Sequence, residues 1–283
     1  MKLIIRADDV GYTKTHNLGT WKTIEEGITT SCDLMLDTPG FEDACEYLKR
    51  KPWISIGWHT HFWGHCVSDP KDVPSMVNEN GRFRFRHDRE ALMNIDYEEA
   101  LKECTAQIER CAKLLGRIPD TWSMGGFVNP LNEAIRTVCV HYGIAFDFLQ
   151  GTGYDSKPLH CKEEYIPLNI YEYTAKNSRF IKSLKVQDCD SYFPADALMD
   201  IQIDDTRTYM FSRHPGFLDD YVEAESSVTL PRVKDVSALC DPRLRKFIRE
   251  NHIELVNHRD ALYGTHEYQD HLKAAGSDLA IPL

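Results

Sequence analysis

Apolar positions along this chain follow two alternating patterns. Short runs such as Leu3, Ile4 and Ile5 stop at polar residues, here Asp8 and Asp9 after Ala7. Longer stretches repeat an apolar side chain every three or four residues, the period of one helical face. Residues 97–116 are the clearest case: Ala100, Leu101, Cys104, Ile108, Cys111, Ala112 and Leu115 share a face, and Gly116 ends it. The spacing predicts strands over 3–5, 30–36, 54–59, 122–124, 208–212 and 253–256. It predicts helices over 15–26, 41–50, 97–116, 129–142 and 242–251. Strand followed by helix, repeated, implies βαβ units and a parallel sheet. The expected architecture is α/β, a single barrel-like domain over residues 1–283 with long insertions at about 62–96 and 150–195. Connections of that length in a compact domain usually belong to the working face.

Composition narrows the class. The chain has 283 residues, 42% hydrophobic and 27% charged, which excludes disorder and collagen-like structure. Thirty-three Lys and Arg against 44 Asp and Glu leave a net charge of −11. A phosphate backbone or an anionic membrane rewards the opposite balance, so neither nucleic acid nor membrane is expected as a partner. No apolar run reaches the roughly 18 residues of a membrane span, and MKLIIRADDV is too short and too charged for a signal peptide. The nine cysteines form no CxxC pair, and their odd number suits reduced thiols better than a disulfide framework. A cytoplasmic protein is expected.

Polar residues collect where strands end, which is where parallel α/β folds place their chemistry. Asp8 and Asp9 end the first strand, His59-Thr60-His61 the third, Arg213-His214-Pro215-Gly216 a late one, and His258 and Arg259 the last. Each group has an ordinary reading as a cap, a turn or a satisfied polar side chain. Taken together, carboxylates and imidazoles at one rim suit a divalent ion and acid–base catalysis. An HxH on an extended strand would put both imidazoles on one face, making His61 a candidate ligand beside Asp9 and His59. Trp58, Phe62, Trp63, Phe83, Phe85 and Trp122 cluster near this rim, as a sugar-stacking platform or as packing. Trp58, Trp122 and Arg259 are the candidate substrate contacts. Arg82, Arg84, Arg86, His87 and Arg89 form a local basic patch, and Asn169 and Tyr171 lie in the second insertion. There is no GxSxG elbow, Walker motif or dinucleotide fingerprint.

LIIRADDVGYTKTHNLGT, GITTSCDLMLDTPGFEDA, ISIGWHTH, VPSMVNENGRF, SRHPGFLDD and IELVNHRDAL follow one another in order over most of the chain. In these segments it resembles the YdjC-like carbohydrate deacetylases, which include chitooligosaccharide deacetylases. The resemblance implies a TIM-barrel-like (β/α) barrel, distorted or with fewer than eight strands. It also implies one divalent metal ion at the barrel mouth, removal of an acetyl group from an N-acetylated amino sugar, and a homodimer. By the same resemblance Asp8 is the general base, Asp9 and His59 are metal ligands, and His214 is the general acid. Two positions depart from the pattern. Gly125 stands where the family carries a histidine ligand, and Arg6 stands where it generally has Asn. Three outcomes stay open: a metal held by a rearranged set that recruits His61 or, less directly, His65; a metal-free sugar-modifying enzyme using Asp8, Asp9 and His214; or a carbohydrate binder without turnover. Zinc, magnesium, manganese, cobalt and nickel all remain open as the ion.

Overall fold

The computed structural model describes residues 1–85, 88, 90–123, 129–148, 192–200, 203 and 208–281. β1 (Lys2–Val10) is the hub of a parallel sheet. On one edge it pairs with β6 (Thr208–Arg213), in register from Lys2 opposite Thr208 to Ala7 opposite Arg213. The other edge is shared. The amides of Glu254 and Val256, in and just after β7 (Glu254–Leu255), donate to the carbonyls of Met1 and Leu3. From Thr30 onward, β2 (Ser31–Leu34) takes over that edge. Beyond it lie β3 (Ser55–Trp58), β4 (Thr121–Ser123) and β5 (Ala145–Phe148), giving the order β5-β4-β3-β2-β1-β6. These strands curl into a half-barrel, a distorted form of the expected barrel.

Every residue of β2 and β3 is buried, as befits strands covered by helices on one face and closed by the barrel interior on the other. The covering layer is α1 (Lys14–Glu25), α2 (Phe41–Leu48), α3 (Tyr97–Leu115) and α4 (Pro130–Tyr142). α3 shows why these residues form a helix. Asp96 caps its first turn by accepting from the Glu98 and Glu99 amides, and Gly116 ends it at φ 81°. Its buried stripe holds Ala100, Cys104, Ile108, Cys111 and Leu115 of the expected face, together with Glu103 and Gln107, while Leu101 and Ala112 are half-buried. Among the described residues six further helices follow: α5 (Pro194–Met199), α6 (Asp220–Glu225), α7 (Leu230–Leu239), α8 (Pro242–Glu250), α9 (His258–Tyr263) and α10 (Glu267–Ala274). Of these the periodicity finds only α8. It also misses β5.

The segment expected as an insertion at 62–96 is built into the core. Phe62, Val73, Met76, Val77, Phe83 and Phe85 are all buried. Two buried carboxylates tie its backbone down: Asp37 accepts from the Gly64 amide at 2.7 Å, and Glu103 accepts from the amides of Val67 and Ser68. The second expected insertion, with Asn169 and Tyr171, falls almost wholly outside the described residues, as do Gly125, Arg86, His87 and Arg89. The seven cysteines among the described residues are free thiols, and no helix among them is long and apolar enough to cross a membrane.

Candidate functional site

The pairing of β1 with β2 slips between Ala7 and Val10, and Asp9 takes a left-handed conformation at φ 61°, which Asp tolerates better than most residues. A regular pleat would send Asp8 and Asp9 to opposite faces. At this bulge both carboxylates act on the same imidazoles, His59 and His214. β3 ends at Trp58, so His59-Thr60-His61 is a turn, not the extended strand the sequence suggested. The His61 amide donates back to the His59 carbonyl, and this tight bend brings both rings to Asp9.

Asp9 Oδ1 stands 2.8 Å from His59 Nε2 and 3.4 Å from His61 Nε2. The three ligand atoms lie within 4.8 Å of one another. Despite the short separation, Asp9 Oδ1 and His59 Nε2 lack hydrogen-bond geometry, and both are buried without a hydrogen-bond partner. Two orphaned polar atoms facing one point, with a second imidazole beside them, fit a divalent ion of the kind bound by mixed carboxylate and imidazole ligands. The other carboxylate oxygen, Oδ2, is taken by Arg232 Nη2 at 2.7 Å. That guanidinium, wholly buried on α7, also donates to the Ser226 hydroxyl and the Val228 carbonyl and meets His16 Nε2 at 3.1 Å.

Charge balance follows from these contacts. Burial opposes ionisation of Asp9, but Arg232, then His59 and His61, hold its carboxyl well below the usual carboxylate range. Burial would also lower the pKa of His59; Asp33 and then Asp9 overcome it and push it to about 10. Burial and the neighbouring His59 keep His61 toward the neutral, ligating form. Asp8 lies against Arg6, whose Nε donates to its Oδ1 at 2.8 Å.

His214 follows β6, and its placement explains the His-Pro-Gly sequence. A Cβ on Gly216 would fall 2.1 Å from the His16 ring, and one on Gly19 would fall 2.6 Å from Gly216 Cα. Only glycines let α1 close onto this loop, where the Thr20 hydroxyl donates to the Pro215 carbonyl. From the other side, buried Asp235 accepts from the His214 amide at 3.0 Å and from the Tyr192 hydroxyl at 2.5 Å. The imidazole Nδ1 is buried without a hydrogen-bond partner. Burial is the largest influence on His214 and lowers its pKa; Asp9 and Asp8 oppose this and Arg232 adds to it, with a net lowering.

Three expected substrate contacts are not placed to meet a ligand. Trp58 and Trp122 are 0% exposed, their indoles donating to Gln107 and Thr60, so neither offers a face to a ligand. Strand alternation carries the signal: Trp58 points away from the face that holds Gly57 and His59. Arg259 belongs to the opposite end of the sheet, where it binds Asp120, which precedes β4, and Glu267. β7 pairs only with the first residues of β1, so the chain after it stays near the strand starts; His258 likewise packs on Ser55, the first residue of β3. Sequence reasoning missed Asp33, His16, Arg232 and Asp235. Asp33 had a signal, a charged residue inside the four-residue strand Ser31–Leu34. Trp63, stacked on the His61 ring at 4.1 Å, is an aromatic side chain that does flank the site.

The family described as YdjC-like protein matches residues 2–250. A Listeria innocua protein named carbohydrate deacetylase 2 is 27% identical, the match covering 92% of this chain and 98% of that one. A Brevibacillus brevis protein named carbohydrate deacetylase is 29% identical over 90% of this chain and 98% of its own. Among solved structures, an Enterococcus faecalis protein named for cellobiose-phosphate cleavage has the same fold, with a TM-score of 0.69 at 22% identity, covering 92% of this chain and 98% of its own. With a match spanning nearly its whole length, the chain belongs to the YdjC-like family.

Proposed function

We propose that the protein is a carbohydrate deacetylase, hydrolysing the N-acetyl group of an amino sugar or oligosaccharide with one divalent metal ion. The convergence of Asp9 Oδ1, His59 Nε2 and His61 Nε2 within 4.8 Å carries this reading, and relatives named carbohydrate deacetylases support the substrate class. In it His61 fills the third ligand place, because glycine at position 125 has no side chain to do so. A divalent ion held there supplies Lewis acidity toward an amide carbonyl and raises the acidity of water.

This chain's own residues do the rest. Asp8, fixed by Arg6, accepts the proton of the attacking water. His214 protonates the departing amine nitrogen, so that the tetrahedral intermediate expels amine and not water. Its lowered pKa makes the protonated ring a strong donor, while Asp9 and Asp8 favour that form as the proton arrives. Trp63 offers a surface for a sugar ring. The nine cysteines, suited to a reducing compartment, support a cytoplasmic location.

The test is metal analysis together with acetate release from N-acetylglucosamine oligomers. About one ion per chain is expected, lost in His59→Ala and reduced in His61→Ala, with acetate release abolished by Asp8→Asn. Sub-stoichiometric metal in every sample under divalent-ion supplementation would overturn the metal assignment. Acetate release indifferent to Asp8→Asn would overturn the role of that residue.

A further inference from the structure

One buried charge near the site lies outside the ligand set. Asp33, on β2, is 0% exposed and carries no hydrogen bond on either oxygen. Its Oδ2 faces His59 Nδ1 at 3.4 Å and the guanidinium Nη1 of Arg6 at 3.3 Å. Through its Nε the same Arg6 holds Asp8 at 2.8 Å. The sheet is cut to admit this carboxylate: Gly57 lies opposite Asp33 in register, and a Cβ there would fall 1.7 Å from Asp33 Oδ1. A wholly buried carboxylate is costly, and its neighbours identify what it does.

We propose that Asp33, braced by Arg6, is a positioning residue that turns the His59 ring so that Nε2 faces Asp9 and the ion. The inference rests on the metal reading above. An imidazole presents its two nitrogens in different directions, so a carboxylate anchoring Nδ1 leaves Nε2 as the free ligand and sets the ring plane. Arg6 links this anchor to Asp8, tying the ligand's orientation to the base. The two charges belong together: arginine at position 6 is accommodated because an acid stands at position 33.

The test uses the full chain, with Asp33→Asn and Arg6→Gln compared with wild type. Zinc affinity is measured by competition with a chelator, alongside the visible spectrum of the cobalt-loaded protein and thermal unfolding. Asp33→Asn should weaken zinc binding about 10- to 100-fold and change the cobalt spectrum, with Arg6→Gln moving both in the same direction. A merely structural role would lower the melting temperature and leave the affinity of the folded protein within about two-fold, which overturns the proposal. Should Asp33→Asn fail to fold, Gly57→Ala, which displaces the carboxylate without removing it, must give the same loss of affinity. Should wild type itself take up no ion, the metal reading fails, and crystal structures of wild type and Asp33→Asn decide the positioning role separately. A His59 ring still aimed at Asp9 in the variant overturns it; a turned ring supports it.

Discussion

Gly57 on β3 stands across from Asp33 on β2, so close that a methyl group in place of its hydrogen would penetrate the carboxylate. The requirement for glycine here is one of space. Gly57→Ala is expected to cost about 1–3 kcal/mol of stability, the usual penalty for overpacking a filled interior. Acetate release should fall further than stability does, because the displaced group faces His59. Denaturant unfolding and an acetate assay on the same preparation check this; unchanged values in both would mean that Asp33 moves aside without consequence.

In the proposed mechanism, His214→Ala separates the acid from the base. Loss of a general acid typically costs about 10²- to 10⁴-fold. That loss is expected for N-acetyl sugars, whose amine must be protonated to depart, and should nearly vanish for an aryl acetate ester, whose phenolate leaves unaided. An equal loss on both substrates would assign His214 to binding.

Asp37 sets a pH dependence of stability. Burial, outweighing the Gly64 amide that donates to it, raises its carboxyl from the ordinary 3.8 to about 6. Between these values the folded chain holds a proton that the unfolded chain has released, so stability falls as pH rises through that window and stays lower above it. The ceiling of the effect is about 3 kcal/mol, from roughly two pKa units at 1.36 kcal/mol each. Asp37→Asn keeps an acceptor for the Gly64 amide and should be more stable than wild type near neutral pH, with that part of the slope removed. Urea unfolding at about pH 4.5 and 7.5 measures the difference; the same difference in both proteins contradicts it.

Arg232 neutralises Asp9 from within the core, with side chains only 1% and 2% exposed. Arg232→Met should destabilise the protein by about 3–5 kcal/mol, the cost of leaving a buried charge unpaired. A divalent ion on Asp9 supplies the missing charge, so saturating zinc should raise the melting temperature of the variant more than that of wild type. Equal increments would show that the ion and the guanidinium do not share this carboxylate.

What the sequence disclosed follows from which signals are local. Helical period and short apolar runs identify α1 to α4 and the first strands because their buried faces are written in consecutive residues. Asp8, Asp9, His59 and His214 are visible because each follows a strand within a few positions. Arg232 is not, since a charged residue on a helix reads as a solvent-facing one, and nothing nearby shows that Asp9 awaits it 223 residues upstream. Arg259 misled for a related reason: it follows a strand, but β7 is two residues long and pairs with the beginning of β1. Trp58 neighbours His59 in sequence, but strand alternation turns the two side chains apart.

The edge of β1 shared between β2 and β7, with β6 on the other side, has a bearing on how the molecule assembles. β1 completes its ladder only with residues 208–213 and 254–255, which lie far from it in sequence. Closing such long loops delays folding. The carboxylates of Asp8 and Asp9 thus wait for neighbours far along the sequence, Arg232 lying 223 residues beyond Asp9.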